Sequence, residues 1–459
     1  MTEITAMKAE TAGPDAEKKK AGQAAPESGD NTGRTMGLYL HIPFCVRKCG
    51  YCDFLSRPTD SRHIEEYTER LCARIREMGK LVCLPAETVY IGGGTPSILS
   101  ADQISRILKA LRASFEILPG AEITLECNPG TVSPEKLEAW RAGGVTRLSV
   151  GCQSLSDDLL RRIGRIHTAG DFFRTFSDAR AAGFDNISVD LMSALPGQTM
   201  ETLRDSVEQA VSLGPEHLSV YSLTLEKGTP IYAEWEQDSA EFPDQDTSAE
   251  MDRMVRGLLG KAGYEHYEIS NFAKPGFRSR HNEGYWRQKE YLGIGEGAVS
   301  GIRADGGLGT LSEDTGLMSC LNRGTQRIIL REQERMGGRI PWIRFPMDAS
   351  FRPVYAEGEI LSLESEMEEC MMLGLRTSDG VSLSGFRRKF GVPAEQIYGE
   401  VIGRYESMGF LKRSEDEDRI FLTGDGMEVS NAILLEFLLD KTLEDKTFAE
   451  QPRRREEDV

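Results

Sequence analysis

Between residues 37 and 222, six short apolar runs alternate with six amphipathic ones, and nothing else in the chain constrains the fold as much. Residues 37–42, 88–92, 122–126, 147–151, 186–191 and 217–222 read as strands. Residues 61–80, 101–114, 133–142, 156–163, 170–182 and 199–213 repeat apolar side chains at helical spacing. Strands alternating with helices make βα units and a parallel sheet. In such folds ligand-binding groups gather at the C-terminal ends of the strands. The polar and glycine-rich motifs of this chain fall at those ends.

The first of them is Cys45-Val46-Arg47-Lys48-Cys49-Gly50-Tyr51-Cys52, directly after the first strand. Three thiolates on one tight loop can hold three corners of a [4Fe–4S] cube. No fourth Cys is near, so one iron would stay open to a ligand. The plainer readings are a structural zinc site or three unrelated thiols; zinc usually wants four closed ligands. The spacing resembles the signature of the radical S-adenosylmethionine (SAM) superfamily.

The second strand ends in Gly92-Gly93-Gly94-Thr95-Pro96, where glycines let a ligand approach the backbone and offer N–H groups. The third ends in Leu125-Glu126-Cys127-Asn128-Pro129, with an acid placed to accept from an ammonium or ribose group. Gln153 follows the fourth. Arg165, in Gly164-Arg165-Ile166-His167, offers a guanidinium to a carboxylate. Asp190 is a carboxylate in an otherwise apolar fifth strand, which is costly unless it is paired.

Together these stretches, with residues 39–45 and 267–272, resemble the oxygen-independent coproporphyrinogen III oxidases and their relatives, the HemW-type haem chaperones. The likeness is close over 37–300 and looser over 358–430. It implies that Cys45, Cys49 and Cys52 bind the cluster, and that Tyr39, Tyr51, Gly93, Gly94, Thr95, Glu126, Gln153, Arg165 and Asp190 contact SAM. His41 either sits near the SAM sulfonium or packs in the core. The oxidases carry a fourth Cys where this chain has Phe54, as the chaperones do not. The run His281-Asn282-Glu283-Gly284-Tyr285-Trp286 also resembles the chaperone branch. His is a natural axial ligand to haem, so His281 is the candidate haem residue, the alternative being a loop His that closes the barrel. The resemblance implies a haem chaperone that binds haem, a [4Fe–4S] cluster and SAM and delivers haem to an acceptor protein. The alternative is the oxidase itself, decarboxylating coproporphyrinogen III to protoporphyrinogen IX. Whether SAM is cleaved or only bound stays open, and with it whether the chain is an enzyme.

The expected architecture is α/β: a partial (β/α)6 radical SAM barrel at 36–302, a connecting excursion at 303–357, and a mostly helical, winged-helix-like domain at 358–445. The C-terminal domain carries Glu364, Glu366, Glu368 and Glu369, which reads as a lid or partner surface. Residues 1–35 lack large apolar side chains in quantity and read as a disordered tail; 446–459 read as a charged tail. A net charge of −18 argues against nucleic acid as a partner. No apolar run reaches the about 18 residues of a membrane span, although a membrane-bound acceptor met transiently is compatible with that. Nine Cys without a framework spacing point to a reducing, cytoplasmic setting.

Overall fold

The computed structural model describes residues 33–354 and 358–439. Nearly all of the expected tail at 1–35, and all of that at 446–459, lies outside the described residues. The chain is α/β, as expected. Six strands run parallel and side by side in chain order: β1 (Met36–Ile42), β2 (Ala86–Gly93), β3 (Ile117–Cys127), β4 (Arg147–Gln153), β5 (Ile187–Ser193) and β6 (His217–Ser222). Helices Ser61–Met78, Ala101–Ser114, Pro134–Ala142, Ala169–Ala181 and Met200–Ser212 connect them. Their starts are set by side-chain caps. Ser100 and Gln103 close a capping box, as do Thr168 and Asp171.

Alternation along the strands sorts two faces. Leu38, Leu40 and Ile42 of β1 share one core with Leu71 and Ile75 of the first helix and with Leu125, Leu148 and Val189 of other strands. Each such burial contributes about 1.5–3 kcal/mol. The intervening residues face inward and are polar: Tyr39 and His41 on β1, Tyr90 on β2, Glu126 on β3, Arg147 and Ser149 on β4, Asp190 on β5, His217 on β6. A parallel sheet covered by helices usually reads as continuous apolar runs. Here the uncovered face is kept polar.

Further strands extend the sheet at both edges. Glu290–Ile294 pairs in parallel with β1, and Val299–Arg303, Trp342–Pro346 and Glu359–Ile360 follow antiparallel beyond it. Asn271–Ala273 lies antiparallel on β6. The stretch 303–357 is therefore more than a connecting excursion. It adds strand Trp342–Pro346 to the main sheet, and its Leu317, Met318 and Ile329 enter the main core. Dense Gly, Arg and Glu hid that pattern in the sequence.

The C-terminal segment has its own core around Met371, Phe386, Tyr398, Ile402 and Ile420. Helices Leu363–Gly374, Leu383–Phe390 and Ala394–Ser407 precede the hairpin Leu411–Arg413 and Arg419–Leu422, with Val381–Ser382 as third strand. Some of its acids pair with arginines of the preceding segments. Glu369 pairs with Arg344 at 2.5 Å, Asp379 with Arg278 and Arg287 at 3.0 and 2.9 Å, and the buried Glu366 faces Arg339. These contacts turn the domain toward the N-terminal ends of the strands.

Candidate functional site

The cluster loop is closed by its own short strands. Phe44–Cys45 pairs with Arg57–Pro58, which brings the far side of the loop back beside its start. A turn from Cys49 to Cys52 (N–H to carbonyl, 3.3 Å) folds the middle, and the Gly50 N–H donates to Ile163 at 3.1 Å. Cys45, Cys49 and Cys52 are each partly exposed and unbridged. Burial pushes the Cys52 thiol up, so without metal it keeps its proton.

Two strand ends meet this loop. The Gly94 N–H donates to Ile42 at 2.8 Å and the Thr95 N–H to Phe44 at 2.7 Å. The Thr95 hydroxyl lies 3.4 Å from the Cys45 sulfur. Such closeness requires the glycines. A Cβ at Gly94 would stand 2.6 Å from the Phe44 carbonyl oxygen, and one at Gly93, whose φ is +111°, would strike the His41 ring at 2.5 Å. From the other side the buried Arg165 reaches to 3.7 Å from the Cys49 sulfur. It also donates to the Gly151 carbonyl at 2.6 Å and to Asn128, and touches Tyr51. Asn128 in turn donates to the Thr95 hydroxyl at 3.1 Å, so Thr95, Asn128 and Arg165 form one chain between the sulfurs of Cys45 and Cys49. Gln153 ends β4 in the left-handed region at φ 66°, a conformation that a non-glycine residue adopts at some cost.

Beneath the loop lies a layer of acids. Glu126 accepts from the Gly93 N–H at 3.0 Å and from the Tyr90 hydroxyl at 2.8 Å. Burial pushes Glu126 up to about 7, and the Asp190 charge adds to the rise. Asp190 accepts from Ser149 at 3.1 Å and from Ser188 at 3.4 Å. Burial raises it too, against the pull of Ser219 and Arg147. The pairing that Asp190 needs is thus already met by Ser149 of the neighbouring strand and Ser188 of its own. His41 spans Tyr39 (2.9 Å) and the Leu55 carbonyl (2.9 Å), buttressing Gly93 and the end of the cluster loop.

Of the residues expected from the sequence, the three Cys, Tyr51, Gly93, Gly94, Thr95 and Arg165 lie on or against the loop. Glu126, Tyr39 and His41 border it, Gln153 stands at the neighbouring strand end, and Asp190 sits a layer down. His281 stands apart from them. It begins the helix Arg280–Trp286, with its ring against Gly37 and Thr88, the opening residues of β1 and β2. That is the opposite end of the strands, roughly 17 Å along β1 from the loop. Its Nδ1 is bonded to the Thr88 hydroxyl at 2.8 Å and its Nε2 to the Tyr285 hydroxyl at 3.0 Å, and its ring stacks on Tyr90. It is 4% exposed, and burial pushes its pKa down to about 3. Both ring nitrogens are thus hydrogen-bonded within the fold. Trp286 lies under the Arg376 guanidinium of the C-terminal segment and is no open wall.

Three residues were missed. Asn128 stands two positions after Glu126 and Tyr90 two before Gly92, so period-two spacing alone marks them as facing the same interior. Arg147 is fully buried, its Nε without a hydrogen bond among the described residues, and its charge favours the ionised forms of Glu126 and Asp190. A charged residue opening an apolar strand was the available signal.

A radical SAM superfamily profile matches residues 39–210 and a HemN C-terminal domain profile matches 361–429. The heme chaperone HemW of Lactococcus lactis subsp. lactis is 36% identical over 405 residues, spanning 88% of this chain and 97% of that one. The chain belongs to the HemW family. The Bacillus subtilis heme chaperone HemW is 35% identical over 87% of this chain and 98% of its own length. A mouse mitochondrial protein, radical S-adenosyl methionine domain-containing protein 1, is 34% identical over 77% of this chain and 84% of its own. The Escherichia coli coproporphyrinogen III oxidase HemN shares the fold, with a TM-score of 0.69 over 88% of this chain and 90% of that one at 21% identity.

Radical SAM proteins take a [4Fe–4S] cluster and SAM, and this HemW-family site fits them. Among the described residues no three His, Cys, Asp or Glu side chains converge as ligands of a single metal ion do. The three loop thiols each answer to a different iron of a cube, which needs no common point. Glu126, Arg165 and the backbone of the Gly93 region lie next to them, where an amine and a carboxylate would bind.

Proposed function

We propose that this protein is a haem chaperone built on a radical SAM site, holding a cluster on Cys45, Cys49 and Cys52 and handing haem to an acceptor protein met transiently, membrane-bound acceptors included. When bound, the cluster supplies an open iron that chelates the amino and carboxylate ends of SAM. Glu126 would accept from the N–H groups of the SAM amine, Arg165 would face its carboxylate, and Gly93, Gly94 and Thr95 would offer backbone close to both. Tyr39, Tyr51 and Gln153 would wall the pocket. Asp190 would turn from its serines toward the ribose.

The observation that carries the reading is the match along 97% of the Lactococcus heme chaperone, cluster loop and C-terminal domain included. The fold likeness to the oxidase carries no activity at 21% identity. The test is anaerobic: reconstituted protein is titrated with haem and, separately, supplied with coproporphyrinogen III and SAM. The reading expects haem to bind and no carbon dioxide to be released. Carbon dioxide release without haem binding would replace it with the oxidase.

A further inference from the structure

Among the described residues the most exposed large apolar side chain belongs to the cluster loop. Phe54 is 69% exposed, with Leu55 beside it; Val46 on the same loop is 59% exposed, and Ile166 faces it from the next motif. Side chains this apolar are normally buried; Val46 and Ile166 line one small cavity, Phe54 and Leu55 stand on the same loop, and such exposed apolar groups mark a contact surface. The loop also departs from the charge of the chain. Residues 45–58 hold Arg47, Lys48 and Arg57 against Asp53 alone, in a protein of net charge −18. Arg57 is paired to Glu296 at 2.6 Å. Arg47 and Lys48 are both exposed. The Lys48 ammonium donates to the Phe54 carbonyl at 3.1 Å, which holds a cation at the backbone of the exposed residue. Arg47 donates to the Gly164 carbonyl at 3.2 Å, two residues before Ile166.

We infer that this rim, Val46, Phe54, Leu55 and Ile166 with Arg47 and Lys48, is the surface on which haem docks. The inference rests on the chaperone reading above and names its site. Haem is a flat apolar ring with two carboxylates on one edge. Apolar side chains flanked by two cations match both parts, and a surface site suits a cargo that must leave again. A protein acceptor would also cover apolar residues, but the paired cations favour the dianion.

The experiment titrates haem into the anaerobic holoprotein, followed by its Soret band, for wild type, Phe54→Ser/Leu55→Ser and Arg47→Glu/Lys48→Glu. Haem dimethyl ester, which lacks both carboxylates, is titrated into wild type. Cluster content is measured on every sample. Because the substituted side chains are exposed, the cluster should persist. At least tenfold weaker haem binding is expected in both variants, and for the ester in wild type. A single Lys48→Glu change, which leaves the Arg47–Gly164 contact in place, should weaken haem about threefold to tenfold. Unchanged haem binding in variants with full cluster overturns the inference and leaves the chaperone reading standing. So does normal haem binding with failed transfer to an acceptor, which would make the rim a protein-docking surface. If wild type binds no haem, the chaperone reading falls first and this inference with it.

Discussion

The two ends of the parallel strands are made of similar residues and do opposite things. At the C-terminal end, Cys45, Cys49 and Cys52 are part-exposed and left-handed backbone recurs at Gly93 and Gln153. Arg165 stretches between a sulfur and a carbonyl there. At the N-terminal end, His281 is held by Thr88 and Tyr285, and Glu122 accepts from the backbone of Arg280 and His281. Arg278 and Arg287 bind Asp379 of the C-terminal segment, which ties that segment to this end. A polar group whose partners are all supplied by the fold is structural. One that still has unused bonding capacity beside an opening is available for chemistry. The contrast separates Cys49 from His281, although both were singled out by the same kind of motif.

The contrast can be broken at either end. The largest effect belongs to the thiols. Cys45→Ala, Cys49→Ala or Cys52→Ala should each abolish the cluster on anaerobic reconstitution, because two thiolates cannot hold the cube. Cys320→Ala, at an exposed site far along the chain, should leave iron and sulfide content at wild-type values. Next is His281→Ala, which leaves the hydroxyls of Thr88 and Tyr285 and the face of Tyr90 without their partner. It should cost about 2–4 kcal/mol in urea unfolding, while cluster content stays normal. A fully stable variant would show that this end is not structural.

Smaller effects concern SAM. Glu126→Ala and Asp190→Ala should each weaken its binding by roughly 1–3 kcal/mol, the cost of leaving a polar partner unpaired in a buried site. Equal affinity in wild type and both variants would remove these residues from the site. The smallest effect is a pH dependence. Burial holds the Glu126 pKa at about 7. The ionised carboxylate is the stronger acceptor for the amine N–H groups, so SAM should bind well above that pH and lose affinity as pH falls through it. One unit below, affinity should be about tenfold weaker. Calorimetric titrations across this window in wild type and Glu126→Gln test it, and the Gln variant should lose the dependence.

Much of this was legible in the sequence, for local reasons. The β6 strand was read at 217–222 and the second helix at 101–114 because apolar period, Ser100 cap and turn residues agree over a few residues. The cluster loop and the Gly92–Gly94 turn were legible because their spacing is fixed within single loops. His281 was not, because whether an imidazole is free depends on Thr88, Tyr90 and Tyr285, and two of these lie nearly 200 positions away. Strand Trp342–Pro346 was hidden because its pairing with Val299–Arg303 is non-local and its surroundings are rich in Gly and charge. Asp190 was read as a carboxylate in need of a partner; that Ser149 of the adjacent strand and Ser188 of its own supply one depends on register, which the sequence does not show.

The central claim is that haem is handled at the cluster end and His281 only holds the fold. It is tested most directly by titrating haem into His281→Ala holoprotein at a temperature where circular dichroism shows it folded and iron analysis shows a full cluster. The account predicts a Soret titration that overlays wild type, in a protein that unfolds at lower urea. Loss of haem binding in a variant that is folded and carries its cluster would make His281 the ligand and contradict the account.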